Sequence, residues 1–183
     1  MKKKAFATIL ALLVMISGCG KMVDSYMDFT ITQFEGFLSA SDNEEADYIA
    51  KGKLDFAKTG GVFFVPFIKE TTHEECTMFV YIYWSDSPKE ILITDIGVVS
   101  QNDISIFYSD SAVENIETIR RTDALSKGVL EIGSFPKRED WFLSGNKLYV
   151  SFSVSVSTED GTACNDYAYE MSLEQRKSVL LPT

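Results

Sequence analysis

Histidine occurs once in this 183-residue chain, cysteine three times and proline four times. Each scarcity excludes something. A Ser-His-Asp or Cys-His mechanism would have to be built on His73, the single imidazole. A closed zinc site needs four ligands, usually rich in Cys and His, and the chain can supply few of either. No cysteine lies in a C-x-x-C pair, so a dithiol redox motif is absent. No apolar run reaches the roughly 20 residues that a membrane-spanning helix requires. Internal repeats, low-complexity tracts and Gly/Ser-rich linkers are missing as well. No catalytic motif stands out, and no cofactor is implied.

What is present begins at the N-terminus. Met1-Lys2-Lys3-Lys4 is followed by an apolar run from Ala5 to Ile16 and then by Ile16-Ser17-Gly18-Cys19. A basic start, a short apolar stretch and small residues at the exit describe a secretory signal peptide. Its end resembles the lipobox of bacterial lipoproteins, an aliphatic residue and two small ones before cysteine. The resemblance covers only about the first twenty residues. It implies cleavage before Cys19, acylation of that residue, and attachment to a bacterial envelope membrane through the lipid. Gly20 stands where an aspartate goes with inner-membrane retention in enteric bacteria, so the resemblance further implies the outer membrane, with the protein facing the periplasm. Stable attachment takes more than one acyl chain, which a multiply acylated cysteine provides.

The remaining 19–183 segment suits one domain that can bury a core without metal or a disulfide lattice. Loss of Lys2, Lys3 and Lys4 leaves 14 basic residues against 27 acidic ones, a net charge of −13. Phosphate backbones and anionic lipid headgroups repel such a surface, so nucleic acid is not an expected partner. Beyond Cys19, two cysteines remain, Cys76 and Cys164. An even pair in an exported domain is expected to form a disulfide.

Hydrophobic periodicity divides the chain into a signal peptide (1–18), a partly helical lipidated segment (19–52) and a β domain (53–183). Val23, Tyr26, Met27, Thr30, Ile31, Phe34, Phe37 and Leu38 recur at helical spacing, although Phe29 to Thr32 also alternates like a strand; a helix is the favoured reading. Ser41 and Glu44 have capping-box spacing, which predicts a short acidic helix to about Ala50. Strands are predicted at Leu54 to Ala57, Val62 to Ile68, Cys76 to Trp84, Ile91 to Val99, Ile104 to Tyr108 and Val129 to Phe135. Pro66 places the second of these at a sheet edge, because proline donates no ladder hydrogen bond. Ser111 to Glu114 repeats the capping spacing, so a crossover helix ending near Gly128 is predicted. Leu148 to Ser157 and Asp166 to Leu173 alternate strictly around Asp160-Gly161, a favoured type I′ turn pair. That turn would set Val154 against Tyr167, Phe152 against Tyr169, Val150 against Met171 and Leu148 against Leu173. The expected fold is all-β: a two-sheet antiparallel β-sandwich, immunoglobulin-like or transthyretin-like, with one or two short helices.

Several constellations bear on chemistry. His73-Glu74-Glu75-Cys76 sets a hard and a soft ligand close together, but a polar turn leading into a strand is the simpler account. Asp42, Asn43, Glu44, Glu45 and Asp47 are acidic without the ligand order of an EF-hand. No two carboxylates are singled out as a glycosidase pair, so a carboxylate hydrolase is neither marked nor excluded. Gly60-Gly61-Val62-Phe63-Phe64 reads either as an exposed apolar loop or as the start of a buried strand. Phe79, Tyr81 and Tyr83 share one face of a strand whose other face carries Met78, Val80, Ile82 and Trp84. A central strand accounts for two apolar faces, but a row of aromatic rings left accessible marks an interaction site. The expectation is therefore a non-enzymatic lipoprotein that binds another envelope protein, with Phe79, Tyr81 and Tyr83 as the candidate surface. The alternative is an inhibitor of a basic envelope hydrolase such as lysozyme, drawn by opposite charge.

Overall fold

The computed structural model describes residues 23–34, 36–37, 41–101, 105–110, 117–121, 125–138 and 147–179. The signal peptide, Cys19 and Ser111 to Ile116 lie outside the described residues. The chain forms two compact units. Met27–Glu174 carries nearly all of the architecture; the described residues of the other unit are 23–26 and 175–179.

Ten strands form one sheet: β1 (Val23–Ile31), β2 (Lys58–Thr59), β3 (Val62–Glu70), β4 (Glu75–Trp84), β5 (Glu90–Ser100), β6 (Ser105–Ser109), β7 (Glu117–Arg121), β8 (Ser126–Pro136), β9 (Lys147–Ser157) and β10 (Thr162–Val179). Their order is β6-β5-β9-β10-β1-β3-β4-β8-β7, with β2 paired to β3. Every pairing with a defined register is antiparallel. One helix, α1 (Asp42–Ala50), and two 3-10 turns, Thr32–Phe34 and Asp55–Ala57, lie between β1 and β2.

Within Met27–Glu174 the antiparallel all-β expectation holds, and the sheet is nearly closed and barrel-like, its strands not clearly separated into the two facing sheets expected of a sandwich. Phe107 on edge strand β6 packs on Phe135 of β8, next to the other edge, with ring centroids 5.9 Å apart. Gly133 permits this approach, because a Cβ there would lie 2.8 Å from the Phe107 ring. Phe64 of β3 and Tyr167 of β10 also meet across the interior, at 6.1 Å. Strong curvature lets one sheet bury its own apolar face. Ile68, Met78, Val80, Ile82, Ile93, Val98, Phe152 and Val154 fill that inner face.

Local signals account for most elements. In α1 the Ser41 amide and hydroxyl both donate to the Glu44 carboxylate, at 2.8 and 2.7 Å, as the capping spacing predicted. Thr59 opposes Val62, so β2 and β3 are joined by Gly60-Gly61, both at positive φ; this two-residue loop starts a buried strand rather than an exposed apolar loop.

Several expectations fail. Val23–Ile31 is a strand, not a helix. Asp28, Phe29, Thr30 and Ile31 are all buried, so its sequence lacks simple alternation. Residues 55–57 form a 3-10 turn instead of a strand. Glu117–Arg121 is a strand, and Gly128 lies within β8 instead of ending a helix. β3 is interior despite Pro66; on the β1/β2 side its register is defined at Ile68 and Phe63, and Pro66 falls between these positions. The last hairpin keeps the predicted faces but slips by two residues. Phe152 opposes Tyr167, Val150 opposes Tyr169 and Leu148 opposes Met171. The loop is 158–161, closed by the Thr158 amide donating to the Gly161 carbonyl at 2.8 Å, and Asp160 does not take the positive φ that a type I′ turn demands.

The expected Cys76–Cys164 disulfide is absent: Cys76 is buried and free, Cys164 exposed and free. The topology separates them. Cys164 lies three residues before Tyr167, whose hydroxyl meets Thr59 at 2.7 Å, at the end of the sheet where Val62 opposes Trp84. Cys76 lies at the other end of β4, about 26 Å along the strand at roughly 3.3 Å per residue, where a bridge would need a Cα separation under about 7 Å.

Candidate functional site

β4 is central, between β3 and β8, so its two apolar faces have two destinations. Cys76, Met78, Val80 and Ile82 point into the curled sheet and are fully buried. Phe79, Tyr81 and Tyr83 point outward, as their alternation requires. The structure then divides the outward row.

Tyr83 is completely buried and is withdrawn from the candidate surface. Phe37 packs edge-on against its ring at 5.4 Å. Its hydroxyl donates to Glu45 of α1 at 3.0 Å. The same carboxylate accepts from Lys127 of β8 at 2.6 Å, and the Lys127 ammonium lies 4.4 Å from the centre of the Tyr81 ring. Burial, then the Glu45 charge, raise the Tyr83 pKa far above the ordinary phenol value. This polar knot holds α1 over one end of the row.

Phe79 lies beyond that knot and Tyr81 at its margin, with Lys127 over its ring; both are half-buried. Sequence reasoning missed their third partner. Phe67 opposes Phe79 across the β3–β4 ladder and is half-buried too. Its ring stacks on Tyr81 at 4.6 Å and on Phe79 at 5.3 Å. The signal was available: a tight turn after Glu70 pairs it with Cys76 and brings Phe67 level with Phe79. The result is a three-ring platform on the outer face, flanked by exposed Glu131 opposite Phe79 and by exposed Lys69. Stacked rings held by a rigid ladder present a large apolar area at little entropic cost on binding.

The His73–Cys76 pair does not converge. His73 is almost fully exposed on the β3–β4 turn, 4.0 Å from Glu70, while Cys76 points inward. Burial, then the adjacent Glu70 charge, push the Cys76 thiol up to about 11, opposite to what a metal-binding or nucleophilic thiolate requires. Glu70 is held by Lys137 at 2.6 Å. Among the described residues, no three His, Cys, Asp or Glu side chains are grouped to hold a metal ion. The acidic run at Asp42 to Asp47 is spent on helix capping by Glu44, on the Lys51–Asp47 ion pair at 2.6 Å and on the Glu45 knot. Comparison with protein-family models, with curated proteins and with solved structures finds no match.

Proposed function

We propose that this chain is a lipoprotein, anchored through Cys19 in a bacterial envelope, which acts by binding another envelope protein and performs no chemistry of its own. The observation that carries the reading is the platform of Phe67, Phe79 and Tyr81, three stacked and only partly covered rings on a ladder-held outer face. The lipobox resemblance supplies the compartment, the outer membrane facing the periplasm. There the platform would meet an apolar surface on the partner.

A photo-crosslinking amino acid at position 79 of the lipidated protein in its own envelope tests this. A discrete adduct, lost when Tyr81→Ala is added, is the expected result. No adduct, or an unchanged one with Tyr81→Ala, refutes it. The net charge of −13 that cleavage before Cys19 would leave favours inhibition of a basic hydrolase as the second reading. That reading predicts salt-sensitive loss of lysozyme activity, unaffected by the platform substitutions.

A further inference from the structure

The opposite part of the sheet carries a different surface. Register places Tyr108, Gly97 and Ser151 side by side across β6, β5 and β9, with Ala168 of β10 opposite Ser151. Ser151 and Ala168 lie in the floor of a shallow trough, and Gly97 and Tyr108 continue the row across β5 and β6. Three interstrand steps of about 4.8 Å give it a length of roughly 14 Å. Val99, Tyr149, Ser151, Ala168 and Glu170 line a depression of about 280 Å³, and Gly97 and Tyr108 lie beyond it in the same cross-strand row. Tyr108 stands at its outer end and is 62% exposed; Tyr149 is 40% exposed. With Phe56, they are the exposed large hydrophobic side chains among the described residues. A Cβ on Gly97 would lie 3.1 Å from the Ser151 hydroxyl, so the Ser151 side chain packs over this position where a larger residue would crowd it.

The rim is acidic. Asp110 accepts a hydrogen bond from the Tyr108 hydroxyl, and the Asp95 charge also reaches that phenol. Asp166 accepts from Ser153 at 2.7 Å, one residue pair beyond the floor. Lys147 neutralises Glu170 at 2.6 Å. Among the described residues no cation pairs with Asp95, Asp110 or Asp166. β6 is the last strand of the sheet order, so the trough opens at the sheet edge.

We propose that this trough receives an extended, basic peptide segment of a partner protein. Phenol faces attract ammonium and guanidinium groups, and planar carboxylates pair with guanidinium in two-pronged fashion. Two exposed tyrosines with three carboxylates that lack cations therefore complement a segment carrying Arg or Lys. The length accommodates about four extended residues at roughly 3.3 Å each, and the open end lets a longer chain continue past β6. A neutral sugar would use the tyrosines but would leave the three negative charges uncompensated.

The probe is a fluorescent dodecapeptide of alternating arginine and threonine, with a glutamate–threonine peptide as control, titrated by anisotropy against the detergent-extracted full chain. Net negative charge attracts any basic peptide, so substitutions that leave charge unchanged decide the matter. Ala168→Trp fills the trough from an exposed position, and Tyr108→Ala with Tyr149→Ala removes its rings. Each should weaken the basic peptide at least about tenfold, with melting temperatures retained, while Ser87→Ala, at an exposed position outside both surfaces, leaves its affinity unchanged. Undiminished binding by both trough variants means non-specific attraction and overturns the proposal. Preference for a chito-oligosaccharide over the basic peptide overturns it as well. Because the ring platform and the trough are altered separately, either can fail alone.

Discussion

Glu45 is the residue on which the placement of α1 turns, and its removal has a calculable effect. Its side chain is 8% exposed and accepts from the Tyr83 hydroxyl and from the Lys127 ammonium, itself 16% exposed. Glu45→Ala leaves a buried hydroxyl without an acceptor, a cost of about 1 to 3 kcal/mol. It also strands a poorly solvated ammonium; breaking a buried pair from one side typically costs about 3 to 5 kcal/mol. The two penalties share one carboxylate and do not add, so about 3 to 5 kcal/mol is expected for the single substitution. Lys127→Met should cost less, about 2 to 4 kcal/mol, because a methionine can still pack on the Tyr81 ring.

Removing the whole polar set tests the reasoning from the other side. Glu45→Leu, Lys127→Met and Tyr83→Phe together leave no orphaned group and should come within about 1 to 2 kcal/mol of the parent. Urea unfolding followed by tryptophan fluorescence measures all of these, with Trp84 next to Tyr83 as the local reporter. The coupling of Glu45 with Lys127 in a double-mutant cycle should exceed about 2 kcal/mol. If Glu45→Ala costs under about 1 kcal/mol, or the coupling is under about 0.5 kcal/mol, the reasoning fails. The helix is then held by its apolar contacts alone, Phe37 on Tyr83 and Phe37 on Tyr48.

Four further outcomes are expected. In the native protein a thiol reagent at pH 8 should label Cys164 and spare Cys76, and denaturation without reductant should release Cys76; absence of free thiol in the denatured chain would mean a disulfide after all. Because the folded-state pKa of Cys76 is raised from 9.0 to about 11, its contribution is whole below pH 9 and is lost as the pH rises to 11, about 2 to 3 kcal/mol; Cys76→Ala should flatten that part of the stability profile. Phe152→Ala, at a 2% exposed site between Tyr167 and Tyr169, should cost about 3 to 5 kcal/mol, whereas Ser153→Ala on the outer face should cost under about 1 kcal/mol, and equal melting shifts would contradict the assignment of faces. Intact mass of the membrane-extracted protein should show Cys19 as an acylated first residue; an unprocessed N-terminus or an unlipidated cut would refute the lipobox reading.

Much of the β architecture was legible because alternation is a direct imprint of a one-sided sheet. It reports parity and nothing finer. In the last hairpin, Phe152 opposite Tyr167 and Phe152 opposite Tyr169 put the same side chains on the same face, so the pattern cannot separate two registers that differ by two residues. Only the turn can, and Asp160-Gly161 is part of a longer loop than its dipeptide advertises. Alternation also fails where both faces are covered, as at Asp28 to Ile31, and where a bulge adds a residue, as between Thr118 and Arg120. At the first of these sites the 3-10 turn with the Phe37 amide bonded to the Phe34 carbonyl at 2.9 Å supplied a spurious helical spacing. A strand periodicity likewise cannot tell one curled sheet from two facing ones, because each buries one side of every strand; the Phe107–Phe135 contact that nearly closes the sheet joins strands far apart in sequence.

The same limit explains how the candidate surface was read. Parity correctly placed Phe79, Tyr81 and Tyr83 together but carried no information about what lies over them. Glu45, 38 residues away in a helix that the capping box did reveal, decides that Tyr83 is covered. Conversely, Tyr108 and Tyr149 sit 41 positions apart, and no local pattern links them. They come to one face only because β5 lies between β6 and β9, with Gly97 opposite Tyr108 and Val99 opposite Tyr149. A strand face can thus be read from sequence, while its exposure depends on what other elements bring to it. On this sheet α1 covers one end of the ring row, whereas Tyr108 and Tyr149 stay exposed.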